Sequence, residues 1–319
     1  MLISNRVEGL TQSIKYIIQL TLENSFTITS ECLNGVVYNL NILPIVMSNP
    51  TGKIAVVLGA RGGTGSQIVA RLAELDEGLV SEIRAVVRDA SLVDKLSDYG
   101  PKLSQEMFKS RLEKVCLMNG DVTKAETLKE ALKDANWVFN ASSGKGSEAE
   151  VAAVDRDAIQ TTLDVINEVA SNSIERYVLV SSQFVHPSNR WNPVRIMINS
   201  LATGIRSRKG IMDYKWEGEQ ILRQQSEVPY TIVRPGRLTD GTLYQTGNMV
   251  VGQTNSSLPG VGSTRADIAA LCIVAAMSSK TKNTTFEANT KAEANLTNIK
   301  PISEQLFEGL DHNFLSLSK

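Results

Sequence analysis

The sequence predicts an α/β fold built on a doubly wound parallel sheet, and three observations carry that expectation. Short apolar, β-branched runs alternate with helical patterns from Lys53 onward, which is how helices come to cover both faces of a parallel sheet. The first run, Ile54–Leu58, is continuously apolar, as a strand buried on both faces must be. A glycine-rich turn, Gly59-Ala60-Arg61-Gly62-Gly63-Thr64-Gly65, then joins that run to a helical stretch through Leu75.

The later elements follow the same alternation. Ile83–Val87 reads as the second strand and Val115–Met118 as the third. Ala125–Ala135, rich in good helix formers, reads as a helix before a strand at Trp137–Ala141. Ala153–Ala170 has the spacing of a long amphipathic helix and leads into the strand Tyr177–Val180. A helix containing Lys215–Leu222 precedes the sixth strand, Tyr230–Val233. Asp267–Met277 reads as a helix, Thr285–Ala288 as the last strand and Ile302–Leu310 as a short helix. Lys280–Thr297, rich in Asn, Thr and Lys, is expected to be loop and sheet edge.

Composition narrows the class. The chain has 319 residues, 42% of them apolar, enough for one large core with a small substrate-side region at its C-terminal end. Lys plus Arg number 33 and Asp plus Glu 34, so no basic excess exists to hold a nucleic-acid backbone. No apolar run approaches the ~20 residues of a membrane span. Cys32, Cys116 and Cys272 are odd in number and far apart, which argues against a disulfide framework or a zinc site; each is expected to pack as a small core residue. Two histidines, His186 and His312, exclude a multi-histidine metal centre, and no metal is expected. The reading is a soluble, cytoplasmic α/β protein.

Residues 1–46 stand apart. They carry Glu8, Glu23 and Glu31 beside Arg6 and Lys15, unlike an acid-poor transit peptide or a secretory signal. A short amphipathic helix is expected at Leu10–Leu22. The segment reads as an N-terminal extension, whether a mobile arm, an atypical targeting piece or a disordered addition. The α/β domain, 47–319, opens at Met47.

The glycine turn is the most informative motif, because it lies between a strand and a helix. Gly59 permits the tight turn, Gly62 lets backbone N–H groups approach a pyrophosphate, and Gly65 packs helix on strand. The helix opening at Gly63 and Thr64 brings its positive end to the phosphates. The second strand ends at Arg88, where an NAD-preferring site places a carboxylate for the ribose. Arg88 and Arg61 together favour the 2′-phosphate of NADP. NAD is the alternative, since a shift of one residue would put Asp89 at the ribose.

With these motifs the chain resembles the atypical short-chain dehydrogenase/reductases, the NmrA-like and NAD(P)-binding group of Rossmann proteins, from about Lys53 to Leu310. The glycine spacing is similar to their fingerprint. Gly120-Asp121-Val122 resembles the motif after the third strand, whose Asp contacts the adenine. Asn140-Ala141-Ser142-Ser143-Gly144 lies where the family's fourth strand meets the cofactor, which implicates Ala141 and Ser142. Val178-Leu179-Val180-Ser181-Ser182 resembles the strand that ends in the active-site serine. Tyr230-Thr231-Ile232-Val233-Arg234-Pro235-Gly236 is similar to the segment bordering the nicotinamide, with Pro235 at the border. Arg265-Ala266-Asp267-Ile268-Ala269 resembles a helical signature of the group.

The resemblance implies Ser182, or its neighbour Ser181, in the serine role and Lys215 at the nicotinamide ribose. It also exposes a departure. Four residues before Lys215, where the orthodox enzymes carry the proton-transferring tyrosine, stands Ile211. Tyr214 is no replacement, because adjacent helical side chains diverge by about 100°. The implied activity is an NADP(H)-dependent hydride transfer to a small carbonyl, enone or quinone-like acceptor. The alternative is a non-catalytic NADP(H) sensor or assembly factor acting on a protein partner, and a plastid stroma is the alternative compartment.

Residues 183–212 separate the serine from the lysine helix and hold Arg190, Arg195, Arg206, Arg208 and Lys209 without an acidic residue. They read as a lid or substrate wall for an anionic or amphipathic ligand, as a docking surface, or as a solvated basic loop with Ile196, Met197, Ile198 and Leu201 as an apolar stripe. Pro187, Trp191 and Pro193 are expected to interrupt regular structure there. His186 reads as a loop residue, and Glu217 and Glu219 as solvated charges.

Overall fold

The computed structural model describes residues 52–89, 114–204, 209–225, 227–240, 249–260, 262–291 and 302–312, all within one unit spanning Pro50–Lys319. Residues 1–46, with the helix expected at Leu10–Leu22 and Cys32, lie outside the described residues.

In chain order the first half contains β1 (Lys53–Leu58), α1 (Gly63–Ala73), β2 (Val80–Val87), β3 (Val115–Asn119), α2 (Lys129–Leu132) and β4 (Trp137–Asn140). Then come α3 (Glu148–Ala152), a π-helical turn at Ala153–Asp157, α4 (Ala158–Val169), β5 (Arg176–Val180) and α5 (Pro193–Thr203). The last part holds α6 (Ile211–Gln224), β6 (Tyr230–Pro235), β7 (Leu238–Thr239), β8 (Met249–Gly252), β9 (Ser263–Thr264), α7 (Arg265–Met277) and β10 (Thr284–Thr290).

The main sheet has the order β3-β2-β1-β4-β5-β6-β10-β8. Every neighbouring pair is parallel except β10 with β8. The order reverses between β1 and β4, and ligands bind at such a switch point outside the carboxyl ends of the strands. The fold is the expected doubly wound Rossmann sheet.

Two cores explain the apolar run of β1. Ala55 and Val57 pack beneath α1 and α7, with Leu72, Ile268 and Leu271. Val56 and Leu58 face the other way, toward Leu163 and Ile166 of α4 and Leu222 of α6. Side chains alternate across a strand, so a strand covered on both faces has no polar position to spare.

Several expectations need correction. The helix expected over Ala125–Ala135 is a 3-10 turn at Ala125–Thr127 followed by α2, and Asp134 has φ +56°. The helix expected from Ala153 begins at Glu148, capped by Ser147, and passes through the π turn. Ile302–Leu310 holds only a 3-10 turn at Glu304–Phe307. The region around β10 is no edge: β10 lies between β6 and β8 and is buried along its whole length. β8 escaped notice because four residues carry too little pattern to read. Cys272 is buried in the core, but Cys116 on β3 is exposed. Among the described residues no helix is long and apolar enough to cross a membrane, and no cluster of three or more His, Cys, Asp or Glu could hold a metal ion.

Candidate functional site

The glycine turn is built for close approach. Gly59 has φ +72°, and a Cβ there would lie 2.9 Å from the backbone of Ser142. Gly62 donates its N–H to the Gly59 carbonyl at 2.9 Å. A Cβ on Gly65 would fall 2.2 Å from that same carbonyl, so only glycine lets α1 start this close to β1. Gly62 caps α1 without a side-chain hydrogen bond, and no acidic residue occupies the first turn. The unpaired N–H groups and positive helix end are thus available to an anion.

A cavity of about 510 Å³ opens beside this turn. Gly59 and Gly62 line it with Arg61, Arg88, Asp121 and Val122. Asp89 is on the same wall, so both ribose-end alternatives remain at one place. Asp121 accepts from the N–H and hydroxyl of Thr123 at 3.0 and 2.8 Å. Burial raises its carboxyl, but Thr123 and the charges of Lys124 and Arg88 outweigh burial and leave its pKa lowered.

A second cavity, of about 590 Å³, holds Ser181, Ser182, Lys215, Ile211, Pro235 and Thr64 on its walls. Ala141, Ser142 and Ser143 line both cavities. The Ser142 hydroxyl oxygen is buried and has no hydrogen-bond partner. An orphaned hydroxyl on the shared wall, a glycine cradle that any Cβ would fill and an uncapped helix end fit a dinucleotide spanning the two spaces. Of the expected cofactor residues, only Gly63 and Gly65 line neither cavity. Gly65 serves packing, and Gly63 leaves room for the Arg265 side chain, whose Cδ would lie 2.7 Å from an added Cβ.

Lys215 reaches into the second cavity and pairs with Asp155, Nζ to Oδ1 at 2.8 Å. Asp155 is 1% exposed and also accepts the Gly144 N–H at 2.8 Å. It sits in the π turn between α3 and α4, and such turns gather at functional sites. Sequence reading passed over Asp155. Its signal was a carboxylate in register with Ile159 and Leu163 on the apolar stripe.

Glu219 corrects an expectation. It is fully buried rather than solvated, since it follows Lys215 by one turn on the inner face of α6. Its Oε2 receives Arg234 Nη2 and Arg223 Nη2, each at 2.6 Å, and its Oε1 accepts the Ser181 hydroxyl at 2.5 Å. Burial would raise this carboxyl, but Arg234 and Arg223 outweigh it and hold the pKa at about 2. Arg234 also donates to Glu287 of β10 at 2.9 Å. The network fixes Ser181 to α6 and leaves Ser182 as the serine hydroxyl not committed to Glu219. Glu217 is a partly exposed partner of Arg156 and Lys209.

Ile211 is 7% exposed and forms cavity wall. Tyr214 points away: its hydroxyl donates to Glu148 at 2.8 Å, and burial together with that carboxylate raises its pKa to about 12. His186 is a loop residue, as expected, and lines neither cavity. It meets Trp216 edge-on at 4.8 Å, and burial with nearby Arg234 and Arg223 lowers its pKa.

The segment after Ser182 is more regular than expected. Pro193 does not interrupt structure but opens α5 at its first turn, capped by Asn192, a position proline suits. Arg195 is not a ligand-facing charge. It is 2% exposed, pairs with Asp213 at 2.6 Å and donates to the carbonyls of Phe184, Val185 and His186. Arg206 and Arg208 lie outside the described residues.

The chain belongs to the NAD(P)H-binding family, whose model matches residues 59–279. Solved structures share its fold. The anaerobillin reductase ChuY from Escherichia coli O157:H7 is 21% identical with a TM-score of 0.54, over 78% of this chain and 100% of that one. The oxidoreductase YlbE from Lactococcus lactis is 17% identical, TM-score 0.53, over 80% and 95%. A short-chain dehydrogenase/reductase from Veillonella parvula, solved with NADP, is 16% identical, TM-score 0.54, over 78% and 98%. No curated protein matches the sequence significantly.

Proposed function

We propose that the protein is an NADP(H)-dependent oxidoreductase acting on a carbonyl, enone or quinone-like acceptor. The observation that carries this reading is the shared wall of Ala141, Ser142 and Ser143 between a cavity bearing Arg61 and Arg88 and one bearing Ser182 and Lys215. Gly59, Gly62 and the first turn of α1, with Thr64, hold the pyrophosphate. Arg61 and Arg88 select the 2′-phosphate by charge-assisted contacts. Asp121 and Val122 take the adenine end, and Pro235 borders the nicotinamide. When bound, NADPH supplies a hydride.

The chain's own groups do the rest. Ser182 donates a hydrogen bond to the acceptor oxygen. Lys215, oriented by Asp155, holds the ribose hydroxyls. Ile211 can give no proton, and a missing general acid typically costs about 10² to 10⁴ in rate. The reading therefore favours acceptors activated enough to take their proton from water, such as quinones and enones.

A second reading, an NADP(H) sensor without turnover, is favoured by Ile211 together with the exposed Trp191, just before α5, and Leu201 on α5, as a surface for a protein partner. Titration with NADPH and NADH, followed by reduced-nicotinamide fluorescence, tests both. The reductase reading expects NADPH preference, weaker binding in Arg88→Ala, and NADPH oxidation by a quinone or enone. Tight binding with no turnover on any acceptor supports the sensor. Binding of neither cofactor overturns both.

A further inference from the structure

We propose that the second cavity takes an amphipathic carboxylate, its apolar body against α5 and its carboxylate on Arg237 and Arg265. This rests on the oxidoreductase reading for the chemistry and names the class of molecule the same site admits.

The cavity wall is sorted by chemistry. Phe184, Val194, Met197, Ile198, Ile211 and Met212 line it with apolar side chains. Its ionisable side chains are Lys215, Arg237 and Arg265, all cations, and no carboxylate stands on the wall among the described residues. These cations differ in what they can still bind. The charge of Lys215 is met by Asp155, 1% exposed. Arg265 pairs with Asp240, but Asp240 is 92% exposed, and an ion pair so open to water is weak enough for a ligand anion to displace. Arg237 is exposed at the cavity edge.

The two arginines flank one short ladder. β7 pairs with β9 through Leu238 with Ser263 and Thr239 with Thr264. The ladder is parallel, so Arg237, just before it on one strand, and Arg265, just after it on the other, start from its opposite ends, and both line the cavity from there. A planar guanidinium recognises a carboxylate through paired, charge-assisted bonds. Anion selection thus falls to the segments after Pro235, because Arg195 in the segment after Ser182 is spent on backbone carbonyls.

The apolar half of the ligand follows from exposure. Val194 and Met197 line the cavity yet are 42% and 54% exposed, and Leu201 one turn beyond Met197 is 76% exposed. Contiguous apolar surface left open beside a pocket marks a ligand or partner site. A flat or branched apolar body would cover it, and a small polar substrate would not.

Arg265 also packs over Gly63 at the start of α1, so its anion could come from the cofactor's pyrophosphate. The test separates the two sources. The full-length protein, alone and loaded with NADPH, is titrated calorimetrically with 3-(2-naphthyl)propionate and with its primary amide, which share one apolar body. The acid should bind at least about tenfold more tightly than the amide. Arg237→Gln with Arg265→Gln should remove that preference while amide and NADPH affinities stay within about threefold. Met197→Ser should weaken acid and amide alike.

Equal affinity of acid and amide, or binding of neither, overturns the proposal. So does a double variant that loses NADPH and keeps the acid preference, which assigns the arginines to the pyrophosphate. If NADPH fails to bind while the acid preference persists without it, the cofactor reading fails and the carboxylate site stands.

Discussion

Asp155 Oδ1 lies 2.8 Å from Lys215 Nζ, in a pair where the carboxylate is 1% and the lysine 13% exposed. The pair ties α6 to the π turn, and through the Gly144 N–H it ties both to the loop after β4. Lys215 is therefore a held charge, with its reach into the cavity set from behind.

Replacing Asp155 by Asn keeps the shape and removes the charge that holds Lys215. Losing one member of a buried pair costs about 3–5 kcal/mol, and a large drop in Tm is expected. NADPH affinity should fall about tenfold or more, because Lys215 is no longer aimed. Thermal melts and fluorescence titration of the variant check both. Unchanged NADPH affinity would show that Lys215 needs no partner to do its work.

Ile211→Tyr returns a phenol to the cavity wall, one helical turn before Lys215. General acid catalysis is worth about 10² to 10⁴ in rate, so NADPH oxidation by an unactivated aldehyde or ketone should rise by about two orders of magnitude. Oxidation by a quinone should change little. Ile211 is 7% exposed, and overpacking costs about 1–3 kcal/mol, so a lower Tm should accompany the gain. Steady-state rates with a paired ketone and quinone decide it.

The parallel strands and the glycine turn were legible because each carries its own local signal: β1 is apolar at every central position, and Gly59, Gly62 and Gly65 answer to backbone geometry alone. Asp155 and Glu219 were not, because a carboxylate on an amphipathic helix looks solvated until the partners that neutralise it are in place. Those partners, Lys215 for one and Arg234 with Arg223 for the other, arrive from other elements or a turn away. Arg195 misled for the same reason: its targets are backbone carbonyls, which leave no mark in sequence. Pro193 misled because proline ends a helix in its interior and starts one at its first turn.

Glu219 makes stability depend on acid pH with a definite sign. Its pKa is lowered in the folded protein to about 2, from 4.5. Stability from the Arg234 and Arg223 pairing is therefore fully present above about pH 4.5 and lost as pH falls toward 2. Glu219→Gln should lower stability at pH 7 by about 3–5 kcal/mol, since it leaves two buried guanidiniums short of charge. Its stability should also fall less steeply than that of the wild type between pH 4.5 and 2. Denaturant melts across that range measure the slopes, and parallel slopes would place the acid sensitivity elsewhere.

Gly218 tests whether the site depends on helix spacing. A Cβ there would lie 2.3 Å from the Asp155 carbonyl oxygen and 3.2 Å from Ile159 Cγ1. The first neighbour is backbone of the π turn and cannot swing aside, so Gly218→Ala must push α6 away from α3 and α4. Overpacking of this kind costs about 1–3 kcal/mol. The same displacement draws Lys215 from Asp155, so NADPH affinity should fall several-fold although Gly218 lines neither cavity. Gly204→Ala is the control. It has φ +86° and nothing within 4 Å of an added Cβ, so it should cost only backbone strain, about 1–3 kcal/mol, and leave NADPH affinity as it was. Equal effects of both variants on NADPH affinity would mean that general destabilisation, and not the spacing of α6, controls the site.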